Sequence, residues 1–205
     1  MPDDPYARPR FPLLIVLSGP SGVGKDSVIR EMKSRGLPLQ FVVTATTRPP
    51  REEEVEGRDY LFLSKERFAE MIDQGELLEY AIVYSDYKGI PKSQVRQALA
   101  SGRDAIMRVD VQGAATVRRL CPQALLIFLT TRTEQELENR LMARRTESPQ
   151  ELKLRIATAR QEMQRLEEFD YVVVNPDHHL NEAVTAILAI LEAEHARVDH
   201  RQVTL

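Results

Sequence analysis

The chain has 205 residues, 42% of them hydrophobic and 29% charged, with a formal net charge of −3. This length predicts one globular domain with a buried core. No apolar run approaches the roughly 20 residues that span a bilayer, and no long basic run predicts a nucleic-acid surface. Cys121 is the only cysteine. It excludes an intramolecular disulfide and favours a reducing compartment, so a cytoplasmic location is expected.

Short apolar runs alternate with helical patterns along the chain. Strands are predicted at 13–18, 41–47, 77–85, 105–111, 124–130 and 171–175. Helices are predicted between a glycine loop and Gly36, at 65–74, at 93–101, at 133–168 with a turn at 146–149, and at 180–196. The alternation predicts an α/β fold with a parallel sheet covered on both faces. The more mixed segment from about 44 to 100 predicts a small region beyond that sheet.

The segment GPSGVGKDS, residues 19–27, follows the first apolar run. It matches the phosphate-binding pattern G-x-x-x-x-G-K-[ST] except at the last position, and it opens a helix as that pattern requires. Loop amides and the helix dipole can hold phosphate oxygens, and Lys25 can reach the β- and γ-phosphates. The alternative is a tight strand-to-helix turn with an exposed lysine. The predicted nucleotide contacts are Ser18, Gly19, Pro20, Ser21, Gly22, Val23, Gly24, Lys25, Asp26 and Ser27.

Asp26 stands where the pattern has a hydroxyl that holds magnesium. Carboxylates are good ligands for Mg²⁺, so we predict that Asp26 contacts the metal directly or through water. The alternative is that Asp26 only pairs with the helix dipole. Ser27 keeps a hydroxyl, but one residue further places it about 100° around the helix.

Arg48 and Arg51 flank two prolines in the segment TTRPPR. Polyproline II has three residues per turn, so both guanidiniums should project to one side. Paired arginines suit a phosphate monoester, and Tyr60 can add a hydroxyl to the same anion. The alternative is that both arginines pair with the neighbouring acids at 52–54.

The run TTRPPREEEVEGRDYLFL fits the guanylate kinase signature T-[ST]-R-x2-[KR]-x2-[DE]-x2-G-x2-Y-x-[FY] throughout. The chain resembles guanylate kinases over residues 13–197, and its GKD, YKGIPK and RVDVQGAA segments are most similar to the plastid-type branch. The resemblance implies a P-loop NTPase fold, a three-layer α/β/α structure with a parallel sheet core. It further implies an inserted GMP-binding region at about 44–100 and a helical lid at about 132–160. The termini at 1–12 and 198–205 are expected to be flexible.

The resemblance also implies roles for individual residues. Thr44 corresponds to a residue near the guanine, and Glu79 to the carboxylate that accepts hydrogen bonds from guanine N1 and N2. The implied ligands of the GMP phosphate are Arg48, Arg51 and Tyr60. The implied lid arginines are Arg144 and Arg155, and Asn175 corresponds to a position that approaches adenine.

Three positions depart from the commoner family pattern. Lys88 replaces a tyrosine that touches the GMP phosphate, and its charge can substitute for that contact. Ile90 replaces a hydroxyl residue that meets guanine O6. Arg108 replaces the first aspartate of a D-x-D pair, whereas Asp110 keeps the second. The resemblance places Asp110 at the GMP site, where it can order magnesium waters; the alternative is a strand-end acid paired with an arginine.

These features predict transfer of the γ-phosphate of ATP to GMP, and to dGMP, with Mg²⁺ bound alongside ATP. Catalysis would depend on positioning and charge neutralisation by Lys25, Arg144 and Arg155. A ribose bisphosphate kinase-like enzyme and a non-catalytic binding module of the same family are the alternatives. The expected partners are the two nucleotides, with no nucleic acid and no membrane, in a monomer or homodimer.

Overall fold

The computed structural model describes residues 10–83, 86–143 and 149–204. The strands are β1 (Leu14–Ser18), β2 (Leu39–Phe41), β3 (Thr44–Thr46), β4 (Tyr60–Phe62), β5 (Leu77–Val83), β6 (Asp86–Pro91), β7 (Asp104–Arg108), β8 (Leu125–Thr130) and β9 (Tyr171–Val174). The helices are α1 (Lys25–Ser34), α2 (Lys65–Asp73), α3 (Lys92–Ala100), α4 (Val111–Leu120), α5 (Glu134–Ala143), α6 (Pro149–Met163) and α7 (Leu180–His195). A short 3-10 helix at Leu166–Glu168 precedes β9.

The first sheet is parallel and has the strand order β2-β7-β1-β8-β9. Its central strand β1 is buried along its whole length, and its side chains alternate between two cores. Ile15 and Leu17 pack in the core that includes Ile187 of α7, whereas Leu14 and Val16 pack with Val117 of α4. A strand buried on both faces needs apolar residues at every position, which explains the continuous run LIVLS. The α/β fold class predicted from the sequence is confirmed.

The second sheet has the strand order β4-β3-β6-β5 and mixes parallel with antiparallel pairs. It forms its own small core around Phe68 and Met71 of α2. The prediction of one strand at 41–47 is wrong, because the chain leaves the first sheet after β2 and enters the second at β3. The last link to the first sheet is the hydrogen bond from Val42 N to Ile106 O, at 2.9 Å. An apolar, β-branched run fits both sheets, so its pattern does not reveal the crossing.

Helices α5 and α6 lie over the first core, where Leu137, Leu141 and Ala159 are buried. Arg144 and the predicted turn residues 146–148 lie outside the described residues. Within the described part of the chain, no helix is long and apolar enough to cross a membrane.

The C-terminal tail is docked, which departs from the flexible segment predicted at 198–205. Arg201 Nε donates to Glu194 Oε2 at 2.7 Å, and Val203 packs against the second face of the first sheet. Glu194 is buried, so its charge needs this partner. The pairing could not be foreseen, because the polar composition of VDHRQVTL resembles that of a mobile terminus.

Candidate active site

The glycine loop connects β1 to α1 and runs against neighbouring backbone. Gly19 has a φ of 131°, and a Cβ at this position would lie 2.1 Å from the carbonyl oxygen of Leu129 in β8. Gly24, the N-terminal cap of α1, has a φ of 95°, and its Cβ would lie 2.5 Å from Asn175 Nδ2. Both positions therefore require glycine for conformation and for space. The loop amides are held in a compact turn at the positive end of α1, as expected for an anion site.

Two side chains from distant segments hold the middle of this loop. Asn175 Nδ2 donates to Val23 O at 2.8 Å, and Arg140 Nη1 donates to the same oxygen at 3.1 Å. Arg140 also donates to Asn175 O and Asp177 Oδ1, each at 2.7 Å. Asn175 is buried and contacts the loop itself; an approach to adenine stays a prediction. The sequence patterns did not predict this role for Arg140.

The Lys25 ammonium group points back into the loop. Its Nζ donates to Gly19 O at 2.5 Å and to Pro20 O at 3.0 Å. Burial lowers the pKa of Lys25 to about 8, although the nearby carboxylates of Glu162 and Asp26 oppose this change. Burial also raises the pKa of Glu162 in α6, a carboxylate that the sequence did not single out. A desolvated ammonium beside loop amides is a favourable place for a phosphate group.

Asp26 forms an ion pair with Arg108, the last residue of β7. The other terminal nitrogen of Arg108, Nη2, donates to Tyr60 Oη at 2.6 Å. Asp26 is the more exposed partner, with 64% of its side chain accessible against 25% for Arg108. The exposed Ser27 follows Asp26 in the first turn of α1. The sequence identified Arg108 as a departure from the family pattern but did not identify its partners.

Among the predicted loop contacts, the side chains of Ser18 and Val23 are fully buried, so only their backbone atoms could meet a ligand. Pro20, Ser21 and Gly22 complete the turn between β1 and α1.

On the second sheet, Arg48 forms a two-pronged pair with Glu54. Arg48 Nη1 and Nη2 donate to the Glu54 carboxylate at 2.8 and 2.7 Å, and Arg51 N donates to Glu54 Oε2 at 2.8 Å. The Arg48 guanidinium also lies 5.0 Å from the centre of the Tyr60 ring. In this structure Arg48 therefore pairs with a neighbouring acid, as the alternative in the sequence analysis states. The role of Arg48 as a phosphate ligand stays a prediction. It requires a phosphate group to displace the Glu54 carboxylate from the Arg48 guanidinium.

Glu79 of β5 is buried, with an exposed fraction of 8%. Burial, followed by the nearby charge of Asp110, raises the pKa of Glu79 to about 8. A Cβ on Gly113 would lie 2.7 Å from Glu79 Oε2, so glycine makes room for this carboxylate. Thr44 begins β3 and is also buried.

Asp110 lies at the N-terminus of α4, and Lys88 lies on β6 of the second sheet. Asp110 Oδ1 accepts a hydrogen bond from Gly113 N at 2.7 Å and so caps α4, a role that sequence reasoning did not consider. The pKa of Lys88 is lowered first by burial, then by the nearby guanidiniums of Arg108 and Arg48. The charges of Asp26 and Asp110 act on Lys25, and the charge of Asp26 also acts on Lys88. Arg155 lies half-buried on α6, and Arg144 lies outside the described residues.

The described residues contain no group of three or more His, Cys, Asp or Glu that could hold a metal ion. The carboxylates whose charges act on Lys25 are Glu162, Asp26 and Asp110, and the last two are the predicted metal ligands. Mg²⁺ commonly takes one or two carboxylates, together with phosphate oxygens and several waters. The donor set therefore fits a magnesium ion that is bound jointly with a nucleotide.

Comparison with known proteins identifies the family. Residues 12–194 match the sequence profile of the guanylate kinase family. The chain is 49% identical to guanylate kinase 2, chloroplastic/mitochondrial, of Oryza sativa subsp. japonica, over 98% of this chain and 71% of the rice protein. It is 42% identical to the guanylate kinase of Clostridium tetani, over 91% of this chain and 88% of that protein.

A solved structure agrees with these sequence relatives. The crystal structure of guanylate kinase from Anaplasma phagocytophilum superposes with a TM-score of 0.73 at 26% identity, covering 92% of this chain and 89% of that one. The resemblance found from the signature, including its similarity to the plastid-type branch, is confirmed. The chain belongs to the guanylate kinase family of nucleoside monophosphate kinases.

Proposed function

We propose that this protein transfers the γ-phosphate of ATP to GMP, and to dGMP, giving ADP and the corresponding diphosphate. One observation carries the proposal: Arg108 contacts both Asp26 beside the phosphate loop and Tyr60 of the second sheet, next to Arg48. The loop for a donor polyphosphate and the residues proposed to hold an acceptor phosphate are therefore adjacent, as direct transfer requires. The names of the rice and Clostridium relatives support the same activity.

Guanine recognition is assigned to the buried Glu79 carboxylate, together with Thr44. Guanine presents two adjacent donors, N1–H and the N2 amino group, whereas adenine lacks this pair. Ile90 is fully buried in the core against the first sheet, so it offers guanine O6 no hydroxyl. Selectivity therefore depends mainly on Glu79. A ribose bisphosphate would leave this buried carboxylate without a matching base, which argues against that alternative.

The chemistry needs no side-chain base, because the acceptor phosphate is already an anion. The GMP phosphate oxygen attacks the γ-phosphorus in line, and the bond to the β-phosphate oxygen breaks with its electron pair left on ADP. Lys25 and the lid arginines Arg144 and Arg155 would neutralise charge on the phosphates. A non-catalytic module would not need Lys25 held inside an intact loop.

Magnesium would bind with ATP at Asp26, with Asp110 ordering its waters; when bound, it would neutralise the phosphates. The same proposal includes a GMP-binding region at about 44–100 and a lid at about 132–160. It also includes a cytoplasmic location and a monomer or homodimer. The second sheet and the helices α5 and α6 support the two subdivisions.

A coupled assay with GMP, dGMP, AMP, UMP and ribose 1,5-bisphosphate tests the acceptor. We expect turnover with GMP and dGMP, and a loss of at least about 100-fold in kcat for Lys25→Met, because the variant loses the charge proposed to neutralise the transferring phosphate. Absence of turnover with every acceptor would refute the kinase proposal. Preference for ribose 1,5-bisphosphate would favour the alternative enzyme.

Binding of GMP should release protons near neutral pH. The pKa of Glu79 is about 8 in the free protein, but only the ionised carboxylate accepts both guanine donors. The apparent affinity for GMP should therefore rise with pH up to about 8, by as much as about tenfold per pH unit, and then level off. Calorimetry in two buffers of different ionisation enthalpy, above pH 7 to avoid titration of GMP itself, measures the release.

The matched variants for this experiment are Glu79→Gln and Glu76→Gln. Glu79→Gln should abolish proton release and weaken GMP binding by about 10- to 100-fold, since the amide accepts only one of the two donors. Glu76, a more exposed acid in the same segment, should behave like the wild type when substituted. Proton release that persists in Glu79→Gln would show that another group titrates.

ATP binding should have the opposite proton linkage. The pKa of Lys25 is about 8 in the free protein, and a bound polyphosphate favours its charged form. Protons should therefore be taken up at about pH 8, and affinity should be constant below that pH and fall above it. Lys25→Arg keeps a charge that does not titrate, so its calorimetric uptake should disappear. Equal uptake in this variant would contradict the assignment to Lys25.

Asp26→Ala should raise the magnesium concentration needed for half-maximal activity and lower kcat, because a hard oxygen ligand is lost. Asp26→Asn should lie between the wild type and Asp26→Ala, since its amide oxygen is a weaker ligand. A magnesium titration of Asp26→Ala that overlays the wild type would show that Asp26 does not bind the metal.

A further inference from the structure

Arg108 occupies a position set by the first sheet. Its Cα lies opposite Leu17 in the pairing of β7 with β1, one residue before the strand ends in the phosphate loop. Val109 N donates to Leu17 O at 3.3 Å and continues this pairing. The guanidinium therefore starts from a rigid strand end beside the loop, where the backbone has little freedom to move.

The two terminal nitrogens of Arg108 contact groups on opposite sides of the site. Nη1 donates to Asp26, which follows Lys25, and Nη2 donates to Tyr60 Oη at 2.6 Å. The Arg108 guanidinium also lies 5.1 Å from the centre of the Tyr60 ring. One planar group therefore connects Asp26 beside the phosphate loop with Tyr60 of the second sheet.

Other cationic side chains share the surroundings of Arg108, together with the carboxylate of Asp26. Arg108 and Arg48 both act on the half-buried Lys88, and Arg108 also acts on Lys25. The Asp26 carboxylate that now meets Arg108 is largely exposed. Such a solvated ion pair is worth little, so phosphate oxygens with more charge can replace the carboxylate. A guanidinium suits this exchange, because its fork matches two phosphate oxygens.

We propose that Arg108 is a catalytic residue whose guanidinium exchanges Asp26 for the phosphoryl group passing from ATP to GMP. The inference rests on the proposed function and adds a ligand for the transferred group itself. No proton moves to or from Arg108 in this step. It donates hydrogen bonds to the oxygens of the phosphoryl group while the bond to ADP breaks and the bond to GMP forms, and Tyr60 keeps its plane aligned.

The test compares Arg108→Ala and Arg108→Lys with Arg119→Ala, a matched control. Arg119 is exposed in the last turn of α4, about 12 Å along that helix from its N-terminal end. Steady-state kinetics are combined with calorimetric binding of ATP alone, GMP alone, and a bisubstrate probe in which adenosine and guanosine are joined through five phosphates. Thermal unfolding of each variant reports on structure.

We expect Arg108→Ala to lower kcat by about 1000-fold, as for other arginines that contact a transferring phosphoryl group. Its affinity for the bisubstrate probe should fall at least about tenfold, whereas affinities for ATP alone and GMP alone change less than about threefold. Arg108→Lys should recover part of both losses, because the charge remains but the fork does not. Arg119→Ala should match the wild type.

If Arg108→Ala has the same kcat and the same probe affinity as the wild type, the inference is overturned and the proposed function is unaffected. Equal weakening of all three ligands, with a lower unfolding temperature, would also overturn it by identifying Arg108 as a structural link. A wild-type protein that does not phosphorylate GMP would overturn both proposals. If Arg108→Ala does not fold, Arg108→Lys and the uncharged, unbranched Arg108→Met decide by the same criteria.

Discussion

The parallel pairing of β1 with its two neighbours is the constraint on which the site depends. The end of β1 lies beside the end of β7, so the start of the phosphate loop and Arg108 share one edge of the sheet. On the other side, Gly19 lies so close to Leu129 of β8 that no side chain fits between them. Because β1 is buried on both faces, neither contact can shift without disturbing the core.

The charged groups of the site are held by partners inside the protein. Lys25 donates to loop carbonyls, Arg48 to Glu54, and Arg108 to Asp26. Binding of a nucleotide phosphate at these positions is therefore an exchange of partners rather than the capture of unpaired cations. Such an exchange keeps the cationic side chains near their working positions and reduces the cost of ordering them. Burial lowers the pKa of Lys25 and raises the pKa of Glu79, so the charge of both residues changes at about pH 8.

Much of the local structure follows from sequence patterns. The glycine loop was located because its residue types are needed for backbone geometry, and the continuous apolar runs located the main strands of the first sheet. The prediction for the segment 41–47 was wrong because one apolar run serves two sheets, and the docking of the tail was missed because Arg201 and Val203 anchor a largely polar segment. Long-range contacts contribute in both cases: Val42 N donates to Ile106 O, and Arg201 Nη1 donates to Ala124 O at 3.2 Å.

By itself the sequence determined the phosphate-binding loop, the guanylate kinase signature and the α/β class, because each depends on residue types at short, fixed spacings. Only the tertiary structure decided which charges meet. Arg108 contacts Asp26 across 82 positions of the chain, and Arg140 contacts Val23 across 117. Many acids and bases could pair on spacing alone, whereas strand order and register select one partner for each. The physical reason is that electrostatic pairing depends on distance in space, which the order of strands in the sheet sets and local sequence does not.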